Sequence, residues 1–122
     1  MSAHKLPNYL RAYRKRAGLS QADVARLLGT RSGTKVSRYE RWSRQAPLRT
    51  AFAYEVIFGV SARELFAGTY QEVEHATVKR ITDLTRRLNA TPTNRATARK
   101  LAVLQGIRNV SAGSTIHAHD PS

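Results

Sequence analysis

Lys35, Arg38 and Arg41 are spaced three residues apart, which puts their side chains on one side of a helix. Val36 and Tyr39 lie between them and are expected to face inward. An Arg guanidinium can donate to both acceptors on the major-groove edge of guanine, and Arg and Lys also bind phosphate oxygens. The pattern indicates a DNA-binding helix, and the competing interpretation is an ordinary solvated helix face.

The charge of the chain favours a polyanionic partner. Its 122 residues include 21 Lys and Arg but only 8 Asp and Glu, for a formal net charge of +13. Residues 1–66 hold 13 of the basic and 4 of the acidic side chains, so the excess lies mainly in this half. Nucleic acid and an anionic membrane surface are the partners that such a charge suits. No cluster of aromatic residues and no basic helix with a strongly apolar face is evident, which argues against RNA and membrane partners.

Residue patterns typical of catalytic and metal sites are missing from the sequence. There is no cysteine, Walker loop or nucleophile–base–acid arrangement, so we expect neither an enzyme nor a bound cofactor. His117 and His119 have no third ligand at a suitable spacing, and no metal site is predicted. The absence of a signal-peptide-like or membrane-spanning apolar run predicts a cytoplasmic protein, associated with the nucleoid through DNA.

Residues 1–68 are predicted to form one domain of five short helices. Capping residues and apolar steps of three and four predict segments at 7–17, 20–29, 35–42 and 48–58, and a short helix after Ser61. No alternating strand pattern occurs, so the predicted fold is all-α. Trp42 is expected to join the core or to close the end of the third helix. The other inward positions predicted for the second and fourth helices are Ala22, Ala25, Leu27, Leu28, Leu48, Phe52, Ala53, Val56 and Ile57.

Residues 69–108 are predicted to form a helical extension. Between residues 70 and 89, apolar positions recur at steps of four, four, three and four, which is typical of an amphipathic helix. These positions are Val73, Thr77, Ile81, Leu84 and Leu88. A second helix is expected at 95–108, after a break at 91–94, and residues 109–122 are expected to be a flexible tail. The apolar stripe could pack on the first domain, pair with a second copy of the chain, or bind another protein.

Several motifs in this chain resemble a known family. Leu19-Ser20-Gln21, Leu28-Gly29 and Val36-Ser37-Arg38-Tyr39-Glu40 are similar to the signature of Cro-type (lambda-repressor-like, XRE family) helix-turn-helix domains. Gly59-Val60-Ser61 followed by Glu64-Leu65-Phe66 resembles the way these domains end. The resemblance covers about residues 6–66. It implies a five-helix bundle that binds duplex DNA as a dimer, with its third helix in the major groove.

The resemblance also implies a role for individual residues. The implied base-reading residues are Gly33, Thr34, Lys35 and Arg38, and the implied phosphate contacts are Gln21, Ser32, Ser37, Arg41, Arg44 and Arg49. Arg14 and Glu40 would form an ion pair between the first and third helices. One departure is visible: six residues, 30–35, separate Gly29 from Val36, where the family pattern has five. The extra residue changes which side chain begins the third helix.

Two functions fit these observations best. The first is a sequence-specific transcriptional regulator, a repressor that binds a palindromic operator in double-stranded DNA as a homodimer. The second is an antitoxin or adaptor whose residues 70–108 bind a protein partner, with autoregulatory DNA binding. They differ in whether the apolar stripe of the extension meets an identical chain or a different one.

Overall fold

Seven α-helices and no strand make up the part of the chain that the computed structural model describes, residues 8–117, with side chains described for 8–110. The helices are α1 (Leu10–Arg16), α2 (Gln21–Leu28), α3 (Gly33–Glu40), α4 (Leu48–Phe58), α5 (Ala62–Leu65), α6 (Ala67–Asn89) and α7 (Arg95–His117). The predicted all-α fold, a five-helix bundle followed by a helical extension, is confirmed. None of these helices combines the length and the apolar composition needed to cross a membrane.

The chain divides into two compact units, residues 1–72 and 73–122. The division falls inside α6, whereas the sequence predicted a boundary slightly earlier, after residue 68. The first unit contains α1 to α5 and the start of α6. The second contains the rest of α6 and α7.

Capping by serine side chains sets the starts of α2 and α5 in the first unit. The Ser20 hydroxyl accepts from the Asp23 N–H at 2.9 Å, and the Asp23 carboxylate accepts from the Ser20 N–H at 2.9 Å. These hydrogen bonds lower the pKa of Asp23, the bond from the Ser20 backbone contributing most. The Ser61 hydroxyl accepts from the Glu64 N–H at 3.1 Å in the same way, which fixes the start of α5.

The core of the first unit draws at least one buried side chain from each of its five short helices. Its members are Leu10, Val24, Ala25, Val36, Tyr39, Tyr54 and Leu65. Tyr54 is the largest of them and lies among aromatic rings, with centroids 6.4 Å from Tyr39, 6.0 Å from Phe58 and 6.1 Å from Phe66. Such contacts add to the free energy gained by apolar burial.

The predicted inward face of α4 was wrong. Leu48, Phe52 and Val56 are 68%, 54% and 83% exposed, and Ala53 and Ile57 are only half-buried. Tyr54, which was not predicted to face inward, is 1% exposed. The reason is that α4 is apolar on most of its circumference, so that spacing alone does not identify the side that packs.

The predicted inward face of α2 was partly wrong. Val24 and Ala25 are buried and Leu28 is half-buried, but Leu27 is 56% exposed and Ala22 is also exposed. Val24 is therefore part of the buried face of α2, although the spacing used for the prediction did not include it.

The start of α1 lies later than predicted, at Leu10, and Pro7 lies outside the described residues. Asn8 is buried and makes two hydrogen bonds. Its Oδ1 accepts from the Leu10 N–H at 3.1 Å, and its Nδ2 donates to the Tyr39 carbonyl at 2.9 Å. The amide side chain therefore binds the first N–H of α1 and holds this helix start against the end of α3.

Helix α7 ends later than the predicted residue 108, because residues 109–117 continue it as far as His117. No proline interrupts the chain between residues 95 and 117, and small polar residues do not by themselves end a helix. The His117 side chain and residues 118–122, which include His119, lie outside the described side chains and residues.

The predicted stripe on α6 is divided between covered and exposed positions. Ile81 is buried and Leu88 is half-buried, whereas Val73, Thr77 and Leu84 are exposed. The covered row is slightly rotated from the predicted one. It consists of Glu74, Val78, Ile81, Thr85 and Leu88.

We predict that Tyr54→Phe leaves the free energy of unfolding unchanged or raises it by up to about 1 kcal/mol. The Tyr54 hydroxyl is buried and has no hydrogen-bond partner within residues 8–110, and burial raises the pKa of this phenol. Removing an unpaired buried hydroxyl therefore removes a desolvation cost. Urea unfolding monitored by circular dichroism measures the change.

The matched control is Tyr13→Phe, because the Tyr13 hydroxyl donates to Glu64 at 2.7 Å. Losing that bond should lower the free energy of unfolding by about 0.5–1.5 kcal/mol. If Tyr54→Phe destabilises the protein more than Tyr13→Phe does, the Tyr54 hydroxyl has a stabilising partner and the prediction fails.

Candidate nucleic-acid interface

The pair formed by α2 and α3 makes the most extensive helix–helix contact in the chain. Gly29 ends α2 in the left-handed region, with φ at 80°, a conformation that glycine adopts without steric cost. The N–H of Thr30 donates to the Ala25 carbonyl at 2.9 Å, which completes the helix end. A short turn therefore reverses the chain, and α3 begins at Gly33.

Gly33 is the point where the start of α3 meets the start of α2. A Cβ atom built on Gly33 would lie 3.2 Å from the Gln21 Cβ and 3.4 Å from its carbonyl carbon. That separation is tighter than ordinary van der Waals contact, so the absence of a side chain here permits the close approach of the two helices. Gly33 therefore faces α2, and the exposed residues of the first turn are Thr34 and Lys35, while the base-reading role of Gly33 stays a prediction.

Arg14 and Glu40 form a buried ion pair between α1 and α3. The Arg14 Nε lies 2.5 Å from the Glu40 Oε2, the Arg14 Nη2 lies 3.1 Å from Oε1, and the two side chains are 11% and 3% exposed. The two parallel contacts form a fork that orients both groups. Hydrogen bonding to Glu40 is the largest cause that raises the pKa of Arg14, which therefore remains charged.

The same pair also holds α2 in place. The Gln21 Nε2 donates to the Glu40 Oε1 at 3.1 Å, and the Arg14 Nη1 donates to the Leu19 carbonyl at 3.0 Å. Gln21 is half-buried by this arrangement. Its side-chain amide thus braces α3, a role that the family resemblance also implies for this position.

The outward face of α3 is basic and polar. Thr34, Lys35 and Arg38 are exposed, while Val36 and Tyr39 are buried on the other side. Ser37 is half-buried, and Ser32, which precedes the helix, accepts weakly from the Thr34 N–H at 3.4 Å. The amphipathic interpretation of this segment therefore matches the packing of its side chains.

Exposed cations continue beyond the end of α3. Arg41 follows the last helical residue, and its Nε lies 3.4 Å from the Ser37 carbonyl. Arg44 and Arg49 are exposed and, like Lys35 and Arg38, have no side-chain hydrogen bond or ion pair within residues 8–110. These guanidinium and ammonium groups are available to an external anion.

The four carboxylates of residues 8–66, by contrast, each accept a hydrogen bond from another group of the domain. They are Asp23 with the Ser20 N–H, Glu40 with the Arg14 and Gln21 side chains, Glu55 with the Ala62 N–H, and Glu64 with the Tyr13 hydroxyl. Arg14 is the one cation of these residues that forms a salt bridge. Hydrogen bonds within the domain therefore engage every one of these acidic groups, whereas most of the basic groups have no such partner.

Two exposed residues near α3 were missed from the sequence. Arg31 lies in the turn and, with Lys35 and neighbouring turn residues, lines a shallow surface depression. Trp42 was expected in the core or over the helix end but is 43% exposed, because α3 ends at Glu40 instead of continuing to residue 42. The extra turn residue was the available signal for Arg31, and α3 begins at Gly33, after the Ser32 cap, instead of at the predicted residue 35.

Comparison with protein-family models now adds to this geometry. Residues 6–65 match the model of a helix-turn-helix domain. This part of the chain belongs to the helix-turn-helix domain family. The match spans the whole of α1 to α5, and it confirms the helix-turn-helix assignment that the sequence motifs indicated. Searches of curated proteins and of solved structures found no match.

Helix-turn-helix domains place the second helix of the motif in the major groove of duplex DNA, with its N-terminal residues toward the base edges. In this helix-turn-helix domain that helix is α3. On its outward face, Thr34 and Lys35 lie in the first turn and Arg38 in the last turn, and all three have the donors that base edges and phosphates accept.

We predict that Glu40→Ala lowers the free energy of unfolding by about 3–5 kcal/mol, because it leaves the buried Arg14 guanidinium without its partner. The combined variant Arg14→Met with Glu40→Leu should lose less, since neither charge then remains buried. Urea unfolding of the full chain measures both.

The control pair for this measurement is Arg86 and Asp83, which also form a salt bridge but have side chains 70% and 49% exposed. Asp83→Ala should change the free energy of unfolding by about 0–1 kcal/mol. A loss of similar size for Glu40→Ala would show that the helix-turn-helix domain does not depend on its buried pair.

Proposed function

We propose that this protein is a sequence-specific transcriptional regulator that binds double-stranded DNA through α3, as a homodimer on a palindromic operator. The observation that supports it most is the distribution of charge around α3. Lys35, Arg38, Arg44 and Arg49 are exposed and unpaired within the described residues, whereas each of the four carboxylates of residues 8–66 accepts a hydrogen bond from another group of the domain. A surface of this kind suits a polyanion, and the helix-turn-helix geometry selects duplex DNA among polyanions.

Residues of α3 and its surroundings have separate proposed parts in binding. Thr34, Lys35 and Arg38 read base edges, and Arg38 is the residue we expect to contact a guanine, because its guanidinium matches the O6 and N7 acceptors. Phosphate contacts are assigned to Gln21, Ser32, Ser37, Arg41, Arg44 and Arg49. Such contacts set the position of the domain on the duplex without reading its sequence.

Repression follows from binding alone in this proposal. A dimer that covers its operator excludes other proteins from that DNA, and this needs neither a catalytic residue nor a cofactor. We place the protein in the cytoplasm, associated with the nucleoid through DNA.

Salt dependence of duplex binding tests the proposal. A high-affinity duplex is first selected from a random pool, and its dissociation constant is then measured against salt concentration. We expect the logarithm of the affinity to fall with the logarithm of salt by a slope of about −4 or steeper, because several phosphate contacts release counterions. A flat response would refute binding through these cations.

Variants of two arginines separate base reading from phosphate contact in the same assay. Arg38→Ala should reduce affinity for the selected duplex by about 1–3 kcal/mol and relax preference at one base position. Arg44→Ala should weaken selected and random duplexes alike and make the salt slope shallower by about one. Equal losses on both duplexes for Arg38→Ala would reassign Arg38 to phosphate.

The homodimer is proposed to form through the exposed apolar row of α6, namely Val73, Thr77 and Leu84. Of the five residues predicted for this seam, Ile81 and Leu88 are already covered in the single chain, so they are removed from the proposed contact. A two-fold dimer matches the paired half-sites of a palindrome. An antitoxin or adaptor would instead use residues 70–108 for a different protein.

We predict that Leu84→Asp shifts the protein from dimer toward monomer in sedimentation equilibrium, because a carboxylate would be buried in the seam. Val56→Asp is the control, since Val56 is an exposed aliphatic residue on α4, outside the seam. An unchanged mass for Leu84→Asp, or a monomeric wild type, would favour the protein-partner alternative for the extension.

A further inference from the structure

The backbone at Trp42 has a conformation that large side chains rarely adopt. Its φ is 60°, and it is the only residue other than glycine with a positive φ among those described. The same left-handed conformation occurs at Gly18, Gly29 and Gly59, which follow α1, α2 and α4. The chain therefore has glycine in this conformation after α1, α2 and α4, and tryptophan, the bulkiest side chain, after α3.

The left-handed conformation at Trp42 is held by two backbone hydrogen bonds at the end of α3. The Trp42 N–H donates to the Tyr39 carbonyl at 3.1 Å, and the Ser43 N–H donates to the Arg38 carbonyl at 2.9 Å. These bonds form with any residue that accepts the conformation, and glycine accepts it most easily. The helix end does not itself require a tryptophan.

The Trp42 side chain is also not explained by packing. Trp42 is 43% exposed. It belongs neither to the buried core of the first unit nor to the partly buried residues that pack against that core. A side chain that strains the backbone and adds little to the core indicates a role outside folding.

The surroundings of Trp42 indicate the chemistry of its ligand. Trp42 shares a shallow surface depression with Ser43, Arg44, Gln45 and Glu72. Arg41 and Arg44 are exposed on either side of it in sequence, and Glu72 is the one carboxylate among the lining residues. An indole offers an N–H donor and a broad apolar face, which suit a phosphate oxygen and the adjoining deoxyribose ring.

The geometry points to Trp42 as a DNA-backbone contact. Its ring lies on a deoxyribose next to the end of α3, and its indole N–H donates to the phosphate that Arg41 or Arg44 also approaches. This inference rests on the proposed DNA-binding function and deepens it. A contact to sugar and phosphate carries no sequence information, so Trp42 fixes the depth and register of α3 on the duplex.

Two substitutions separate this role from a structural one. Trp42→Gly removes the ring and relieves the backbone, so the midpoint of thermal unfolding should rise by about 4 °C or more while affinity for duplex DNA falls about tenfold. Trp42→Ala removes the ring but keeps the unfavourable backbone conformation. It should lose the same affinity without the gain in thermal stability.

The salt slope distinguishes Trp42 from the neighbouring cations. Because the indole is neutral, both Trp42 variants should keep the wild-type slope, and both should lose affinity equally for selected and random duplexes. The matched variant Arg44→Ala should make the slope shallower by about one. A change of slope in the Trp42 variants would mean that they disturb the arginines instead of removing a contact of their own.

Fluorescence of the full wild-type chain gives an independent measurement, because Trp42 is its one tryptophan. Saturating duplex should protect the indole from acrylamide quenching by about twofold or more, as expected when a half-exposed ring is covered. If wild type binds duplex with a steep salt slope but Trp42 is not protected and both variants bind normally, the inference is overturned and the DNA-binding function stands. If wild type does not bind duplex at all, both are overturned.

Discussion

The buried Arg14–Glu40 pair is the contact on which the arrangement of the helix-turn-helix domain depends. It joins α1 to the end of α3. Its further hydrogen bonds reach the Leu19 carbonyl, in the loop after α1, and the side chain of Gln21, the first residue of α2. Burying two charges is costly, and the cost is offset here because both groups have several well-placed partners. The pair therefore specifies how three helices meet, a task that apolar contacts alone leave less well determined.

The hydrogen bonding of the carboxylates has an electrostatic consequence for the domain. Glu40, Glu55 and Glu64 each receive a hydrogen bond from a residue on another part of the fold, whereas Lys35, Arg38, Arg44 and Arg49 have no partner within residues 8–110, so the positive charge near α3 is not paired. Exposed like charges repel one another, and this repulsion lowers stability in the free protein. A polyanion relieves it. The same charge distribution thus weakens the free domain and strengthens its complex with DNA.

The helix-turn-helix motif could be predicted from the sequence more reliably than the side-chain packing around it. Ser20, Gly29 and Ser61 act locally, through caps and turns, and their effects were predictable from a few neighbouring residues. The inward face of α4 was not predictable, since Leu48, Phe52 and Val56 are as apolar as Tyr54 and only the tertiary contacts select the buried side. The end of α7 was missed because a polar composition indicates solvent exposure, which a long helix also satisfies. The base-reading and phosphate-contacting roles depend on DNA and stay predictions.

Both ends of α3 depart from the simplest helix-turn-helix pattern, each for a local reason. The extra turn residue is accommodated because α3 begins at Gly33, where the missing Cβ lets the helix start against Gln21. At the other end, α3 stops at Glu40, and the left-handed Trp42 follows, with its N–H bound to the Tyr39 carbonyl. Had α3 continued through residue 42, the tryptophan would have been one more helical side chain. The two ends of α3 together therefore determine which residues open its outward face and which residue is exposed where that face ends.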